Sequence, residues 1–515
     1  MSAKKRVEFT LNGKPVTAEA GSLVIDAAAR AGVAIPHYCY HPALGNPGNC
    51  RLCIVEVEGA PKPAVSCRLE VREGLVVRSD SEVARRAQQA SLEFHLMNHP
   101  LDCPVCDQSG ECGLQDYYME IGRYPSRVKE DKVHKEKRIV AGPHVMLDQE
   151  RCILCTRCTR FVDQVTGTHE LGIFSRGFHQ YIDVTPGKTL DNPYSGNVVD
   201  ICPVGALTDR DFRFQVRVWY LDRTDSTCPG CARGCAISID TSTRRNWHNG
   251  GLRVARIKPR FDPEVNGYWI CDEGRYDYKR LDEDRIGKVL RLRPQRRELA
   301  WEDALSELAG ALEEVTRLKG PGSLAVVASG ELSNEDWAAF RPLFVDVLKA
   351  GHFLFTPEPE QVGEEDGILR RREKVPNLKG GEAHGFGKEI LSASWESLAS
   401  AIESGEVAAL YVVDRDLVEI WGTRSAVLLS KLDLIVYQGP FKGLTGDRAH
   451  FRLPATAYVE EEGSFTNFEG HVGKYRKALE ALGDAKPDWW IFQGLQRRLQ
   501  SPSLADREAD AVKAR

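Results

Sequence analysis

The first 32 residues alternate between apolar and polar positions in a pattern that predicts two strands and a helix. Asn12-Gly13 is typical of a two-residue hairpin turn. Ser22 is a predicted N-cap, and a short helix is expected from Leu23 to Ala31, ended by Gly32. Two strands followed by a helix indicate a small β-grasp domain. The alternating apolar positions of the hairpin, over residues 6 to 18, are Val7, Phe9, Leu11, Val16 and Ala18.

The pattern changes after about residue 278, where apolar runs of strand length are separated by helical segments. A helix with one apolar face is expected from Glu331 to Ala350. This alternation of strands and helices favours an α/β domain with a mainly parallel sheet. The predicted buried strands are Leu324 to Ala328, Ala408 to Val413 and Leu432 to Tyr437.

The segments between these two regions are shorter and more polar. Residues 81 to 97 are predicted to form a helix, and residues 236 to 258 contain alternating strand patterns around Ile237, Ile239, Val254 and Ile257. Residues 122 to 147 are rich in charge and are expected to be a solvated connector. Residues 502 to 515 are expected to be a frayed, charged tail.

Charge and hydropathy exclude several classes of function. The chain has 69 basic and 74 acidic residues, a net charge of −5, which favours neither nucleic acid nor an anionic membrane surface. The apolar runs, such as Val407 to Val413, are too short to span a bilayer, and the N-terminus does not contain the apolar core of a signal peptide. We therefore expect a cytoplasmic chain that reaches a membrane only through partner proteins.

Nucleotide-binding motifs are also missing from the sequence. We find neither G-x-x-x-x-G-K-[ST] nor a G-x-G-x-x-G that follows a strand. The glycines of a polar segment, Gly380, Gly381, Gly385 and Gly387, are expected to provide flexibility in a loop.

The cysteines are the main candidates for chemistry. All fifteen lie between Cys39 and Cys271, in groups of four, three, four and four along the chain. Structural disulfides are rare in the cytoplasm, so metal binding is the expected role. Adding His99 to the group of three produces four sets of four ligands.

The first two sets lie in loops that are rich in Gly and Pro. The first set is C-x10-C-x2-C followed by a distant fourth cysteine, and its first spacing is longer than that of plant-type 2Fe–2S loops. The second set is C-x2-C-x5-C with His99 four residues ahead, and three Cys with one His also suit zinc. The first set is Cys39, Cys50, Cys53 and Cys67, and the second is His99, Cys103, Cys106 and Cys112.

The third set has the most specific spacing. C-x2-C-x2-C is the triplet of bacterial 4Fe–4S sites, and a later Cys-Pro supplies the simplest fourth ligand. Arg157 and Arg160 beside it are either exposed residues or groups whose charge favours a reduced cluster. The fourth set has a longer and less specific gap. The third set is Cys152, Cys155, Cys158 and Cys202, and the fourth is Cys228, Cys231, Cys235 and Cys271.

The order of these motifs resembles that of the large iron–sulfur subunit of NADH:quinone oxidoreductase, respiratory complex I. The residues that carry the resemblance are Cys39 through Cys67, His99 through Cys112, Arg151 through Cys158, and Ser195-Gly-Asn-Val-Val-Asp-Ile-Cys-Pro-Val-Gly-Ala-Leu207. Trp269-Ile-Cys-Asp-Glu-Gly-Arg275 and Gly463-Ser-Phe-Thr-Asn-Phe-Glu-Gly470 resemble segments of the molybdopterin oxidoreductase superfamily. The resemblance is specific over residues 1 to 277 and weaker after them.

The resemblance implies a role for each set. The first would hold a 2Fe–2S cluster, and the second a 4Fe–4S cluster with one nitrogen ligand. The third would hold a 4Fe–4S cluster on the main electron path, and the fourth a 4Fe–4S cluster away from that path. Electrons would enter from a flavin-containing, NADH-oxidising subunit and leave toward quinone. The chain would have no substrate-converting site of its own and would lie on the cytoplasmic side of the bacterial inner membrane.

The expected fold class is therefore multidomain α+β and α/β. Only 238 residues follow position 277, which are too few for a complete molybdopterin-binding fold, so we expect a shortened domain without molybdopterin. The alternatives are a subunit of an NAD-linked hydrogenase or formate dehydrogenase, and a zinc scaffold. The expected domains are 1–82 (2Fe–2S), 83–122 (His/Cys-ligated 4Fe–4S), 123–220 (4Fe–4S ferredoxin-like), 221–277 (fourth cluster) and 278–515 (molybdopterin-oxidoreductase-like).

Overall fold

The structure is a computed structural model that describes residues 5–242, 250–355, 363–386 and 394–500. The chain divides into two compact units, Met1–Leu221 and Asp222–Arg515. The predicted tail at 502–515 and the predicted flexibility at Gly387 lie outside the described residues. No helix in the described ranges is both long enough and apolar enough to cross a membrane.

The first unit contains short strands and helices separated by long loops. Its strands are β1 Arg6–Leu11, β2 Lys14–Glu19, β3 Ile54–Val57, β4 Ala64–Val65, β5 Val76–Arg78, β6 Ile139–Val140, β7 Val145–Leu147, β8 Leu171–Phe174, β9 Tyr181–Val184 and β10 Leu207–Asp209. Its helices are α1 Val24–Arg30, α2 Glu82–Met97, α3 Gly113–Ile121, α4 Arg157–Gln164 and α5 Asn197–Asp200.

The first five strands form one sheet in the order β2-β1-β5-β3-β4. The β1–β2 hairpin turns at Asn12 and Gly13, with φ of 51° and 76°, as the left-handed positions of a type I′ turn require. The alternation along β1 places Val7, Phe9 and Leu11 in the core that packs on α1. The predicted strand, strand, helix opening and the predicted helix over 81–97 are confirmed.

Two details of the first unit differ from the sequence predictions. Leu23, not Ser22, is the N-cap of α1, because the Ser22 hydroxyl donates to the Glu19 carbonyl (2.6 Å) and closes the turn after β2. The charged connector is not simply solvated. Lys132 Nζ donates to the carbonyls of Leu96 and Met97 (3.1 and 2.9 Å), so it neutralises the carboxyl end of α2.

The second unit contains the longer regular elements. Its strands are β11 Asp222–Thr227, β12 Ala236–Thr241, β13 Val254–Pro259, β14 Leu290–Arg291, β15 Arg297–Glu298, β16 Leu324–Ala328, β17 His352–Leu354, β18 Ala409–Val413, β19 Leu434–Gly439, β20 Phe451–Pro454, β21 Gly463–Thr466 and β22 Val472–Tyr475. Its helices are α6 Asp272–Tyr276, α7 Trp301–Lys319, α8 Asn334–Arg341, α9 Leu378–Ala383, α10 Trp395–Ser404, α11 Leu417–Trp421, α12 Ser425–Ser430, α13 Leu444–Arg448 and α14 Asp488–Gln500.

A seven-stranded sheet in the order β15-β14-β20-β19-β18-β16-β17 organises this unit. The pairs from β17 to β20 are parallel, which confirms the predicted α/β domain. Every residue of β16, β18 and β19 is buried, as expected for strands covered on both faces. One face packs on α7, α8 and α14, and the other on α10 to α12.

The predicted helix from Glu331 is shorter than expected. Ser333 and Asp336 form a capping box that starts α8 at residue 334. Pro342 cannot donate a backbone hydrogen bond, and a π-helical turn, Pro342–Val347, follows α8. The prediction of a flexible loop at Gly380 and Gly381 is wrong, because both are buried within α9.

Candidate metal centres

The first cysteine set lies in the loop between α1 and β3 (Cys39, Cys50 and Cys53) and directly after β4 (Cys67), and all four of its members are buried. Pairing of β3 with β4 places Cys53 beside Cys67, and Ser66 N donates to Cys53 O (2.9 Å). The hydrogen bond to Cys67 lowers the pKa of Cys53 to about 7. A hydrogen bond to Cys50 lowers the pKa of Cys39 to about 5. The four thiols therefore lie as two contacting pairs.

The second set spans the end of α2 and the start of α3. His99 follows α2, and Cys112 is the N-cap of α3, where the amides of Leu114 and Gln115 are directed at its sulfur. Burial lowers the pKa of His99 to about 4, so the imidazole is neutral. Its Nδ1 is buried without a hydrogen-bond partner among the described residues. Cys103 is exposed, unlike the other cysteines of the chain.

The third set surrounds a small cavity. All four cysteines line it, together with Leu147, Ile153, Arg157, Ile182, Val204, Ala206 and Leu207. Leu154 and Thr156 have φ of 55° and 64°, which coils the chain between the cysteines so that the sulfurs converge. The Leu154 amide donates to Cys152 Sγ (3.4 Å). The amides of Val204, Leu207 and Ala206 are directed at the Cys202 sulfur.

The fourth set lies in the second unit. Cys228 follows β11, Cys235 precedes β12, and the Cys228 amide donates to the Cys235 carbonyl (2.9 Å). Cys271 is the N-cap of α6, and its sulfur accepts from the Gly274 amide (3.4 Å). Glycine is required at 274, because a Cβ there would lie 2.7 Å from Cys228 Sγ.

The residues fit iron–sulfur clusters on several observations. Backbone amides point at sulfur in every set, which is how proteins stabilise anionic thiolates. The unpartnered Nδ1 of His99 is an available nitrogen ligand, four residues ahead of Cys103 in the sequence. Burial raises the pKa of Cys152 to about 12 and of Cys155 to about 11, so these thiolates need a cation to be stable.

Thiolate and imidazole ligands are common to zinc and iron–sulfur sites. Across the described residues, no three His, Cys, Asp or Glu side chains are grouped as the ligands of a single metal ion.

Several residues that support the second set are not predicted by the sequence patterns. Arg217 donates to the carbonyls of Cys106 and Pro104 (both 2.5 Å), and the Phe214 amide donates to the Asp107 carboxylate (3.0 Å). A Cβ at Gly205 would lie 2.2 Å from Cys106 Sγ. The Cys-Pro-Val-Gly motif could have identified Gly205 from the sequence. No motif identifies Arg217, because its hydrogen-bond partners lie more than 100 residues away in the sequence.

The molybdopterin-like part of the chain has a cavity at the carboxyl ends of the parallel strands, where ligands of such sheets bind. Its acidic and basic lining residues are five carboxyl groups and one arginine: Glu331, Asp336, Asp414, Glu461, Asp488 and Arg280. Burial raises the pKa of Asp336 and of Asp414 to about 6. A phosphate-bearing pterin would meet carboxyl groups here, so the lining does not fit that cofactor.

Family models match four stretches of the chain. They describe a 2Fe-2S iron-sulfur cluster binding domain (residues 4–82), the NADH-ubiquinone oxidoreductase-G iron-sulfur binding region (88–127), the NADH-quinone oxidoreductase subunit 3 ferredoxin-like domain (142–208) and a molybdopterin oxidoreductase (368–498). These matches confirm the predicted fold class. They define an iron–sulfur protein of the electron-transfer class.

Relatives match over nearly the whole chain. The mitochondrial NADH-ubiquinone oxidoreductase 78 kDa subunit of Neurospora crassa is 43% identical, over 96% of this chain and 80% of the relative. A subunit of the NADH-quinone oxidoreductase of Rickettsia conorii is 29% identical, over 95% and 87%. This chain belongs to the family of large iron–sulfur subunits of NADH:quinone oxidoreductase, as its motifs predicted. A solved chain of an NAD+-reducing [NiFe]-hydrogenase is 34% identical over 41% of this chain and 91% of that chain, with a TM-score of 0.38.

Proposed function

We propose that this chain conducts single electrons through one 2Fe–2S and three 4Fe–4S clusters. The observation that carries the proposal is the division of sixteen Cys and His residues along the sequence into four sets, together with the backbone amides directed at sulfur in each set. The ligand sets are Cys39, Cys50, Cys53 and Cys67 (2Fe–2S); His99, Cys103, Cys106 and Cys112 (4Fe–4S); Cys152, Cys155, Cys158 and Cys202 (4Fe–4S); and Cys228, Cys231, Cys235 and Cys271 (4Fe–4S).

Each cluster takes up and releases one electron. The chain's own residues ligate the irons, donate hydrogen bonds to sulfur and exclude water from the buried sets. His99 provides a neutral nitrogen where the other sets have a fourth thiolate, which removes one negative charge from the second site. Such replacement raises the potential in Rieske centres, and we expect the same direction here.

We extend the proposal to the partners. Electrons enter from a flavin-containing, NADH-oxidising subunit and leave through other peripheral-arm subunits toward quinone. The chain is held at the cytoplasmic side of the bacterial inner membrane through those partners. The five expected domains, 1–82, 83–122, 123–220, 221–277 and 278–515, are part of the same proposal, with the last serving packing.

Metal analysis of the full chain, purified anaerobically, tests this proposal. The four sets require about 14 irons per chain with labile sulfide. A colourless protein with about four zinc ions would contradict it. Cys271→Ala should lower the content by about four irons and leave NADH:quinone electron transfer unchanged, because the fourth cluster lies off the main path.

The proteins that co-purify with this chain distinguish the proposed function from the alternative, a subunit of a hydrogenase or formate dehydrogenase. The Neurospora and Rickettsia relatives match at least 95% of this chain and are named as parts of NADH:quinone oxidoreductases, which favours the first assignment. Co-purification with a hydrogenase or a formate-oxidising chain, in place of complex I subunits, would reverse it.

A further inference from the structure

Two arginines in the first turn of α4, beside the third cysteine set, reach across to the loop between α1 and β3 that contains Cys39. Arg160 donates to the carbonyl of Leu44 (2.6 Å) and to the carbonyl of Cys39, a ligand of the first set. Arg157 donates to the carbonyl of Tyr40 (2.6 Å). These partners are more than 110 residues apart in sequence, so the contacts exist only in the folded first unit.

The same two loops are joined at further points. Arg157 also donates to the Ile201 carbonyl (3.2 Å), directly before Cys202 of the third set. Asn49 Nδ2 donates to the Leu154 carbonyl (3.1 Å), between two cysteines of that set. Arg157 therefore touches the backbone beside ligands of both sets.

Arg157 and Arg160 hydrogen-bond to an unusual set of acceptors for two positively charged groups. Within the described residues, every hydrogen bond of the two guanidinium groups goes to a neutral oxygen, either a carbonyl or the Thr156 hydroxyl. A half-buried guanidinium that lacks a carboxylate partner needs another source of negative charge.

We infer that Arg157 and Arg160 form a charged bridge between the first and third clusters. The bridge positions the two ligand loops against each other and stabilises an electron added to either cluster. The inference rests on the proposed ligand sets. An added electron makes a cluster more negative by one charge, and a nearby fixed positive charge favours that state through Coulomb attraction. Both arginines hydrogen-bond to backbone carbonyls beside the ligands, so both are positioning residues.

A redox titration followed by EPR spectroscopy of the full, iron-loaded chain tests the bridge. Arg160→Gln should lower the midpoint potentials of the first and third clusters and leave that of the second unchanged. Arg160→Lys keeps the charge but loses the forked hydrogen bonds, so its potentials should shift less than those of Arg160→Gln. A control is Arg210→Gln, because Arg210 also donates to two carbonyls, of Gly142 and Pro143, that lie outside the cysteine loops.

The inference is overturned if Arg160→Gln retains its iron and all three potentials are unchanged, or if the second cluster shifts as much as the first and third. An equal shift in Arg160→Lys and Arg160→Gln would also overturn the role of charge. If Arg160→Gln does not retain iron, Arg157→Gln is judged by the same criteria, because it removes only two carbonyl hydrogen bonds. Wild-type protein without cluster signals would overturn the proposed function as well, whereas intact signals with unmoved potentials would overturn only the bridge.

Discussion

The third cysteine loop and the parallel sheet of the second unit are stabilised in opposite ways. The loop places Leu154 and Thr156 in left-handed conformations that cost free energy, and it ends at sulfurs that need a cation. The strands β16, β18 and β19 are buried along their whole length between two layers of helices. Under the proposed function, metal ligation therefore stabilises one region, whereas apolar burial stabilises the other.

Removal of iron should produce the largest difference in stability between the two regions. Metal binding is coupled to folding where ligands are held by loops. We therefore expect anaerobic chelation to raise amide hydrogen exchange across residues 99–112 and 152–158 by orders of magnitude, with little change in β16 to β19. Equal protection of the cysteine loops before and after chelation would show that they fold without metal.

Truncation of a core side chain should destabilise the second unit and leave the clusters of the first unit unaffected. Phe340 is fully buried and contacts the rings of Phe344, Phe355, Phe386 and Phe492. Phe340→Ala should lower the free energy of unfolding of the second unit by about 3–5 kcal/mol, measured by denaturant titration. The EPR signals of the first three clusters should persist, and their loss would show that the core of the second unit also supports them.

A single methyl group should perturb one cluster selectively. A Cβ at residue 205 would lie 2.2 Å from Cys106 Sγ, so Gly205→Ala must displace that ligand. We expect a cost of about 1–3 kcal/mol and an altered EPR spectrum of the second cluster alone. Gly287→Ala is a matched control, because a Cβ there would meet nothing within 4 Å. An unchanged spectrum in Gly205→Ala would contradict the close packing.

The smallest effect concerns pH and is confined to the second unit. Burial raises the pKa of Asp336 to about 6 in the folded state, above its value of about 4 in the unfolded chain. The folded state then binds more protons than the unfolded state between about pH 4 and pH 6. The contribution of Asp336 to the free energy of unfolding is therefore complete below this window and is lost as pH rises through it. Asp336→Asn should flatten this dependence, whereas the exposed Asp303→Asn should not. A stability curve that rises with pH over the same window in wild type would contradict the assignment.

Local patterns were sufficient for much of the fold. The Asn12-Gly13 hairpin, the helix over residues 82–97 and the strand over residues 324–328 all depend on short-range periodicity and turn chemistry. Ser22 and the start of α8 were predicted less well, because a hydroxyl has several possible backbone partners and the folded chain selects one.

The sequence by itself determined which residues are candidate ligands and how they divide into four sets, because cysteine spacing is a property of the chain. The tertiary structure alone decided what surrounds them. The close approach of Gly205 to Cys106, the clamp of Arg217 and the contacts of Arg157 and Arg160 with the first loop all join residues about 100 or more positions apart. Spacing along the chain does not encode such contacts, since they depend on how separate elements pack.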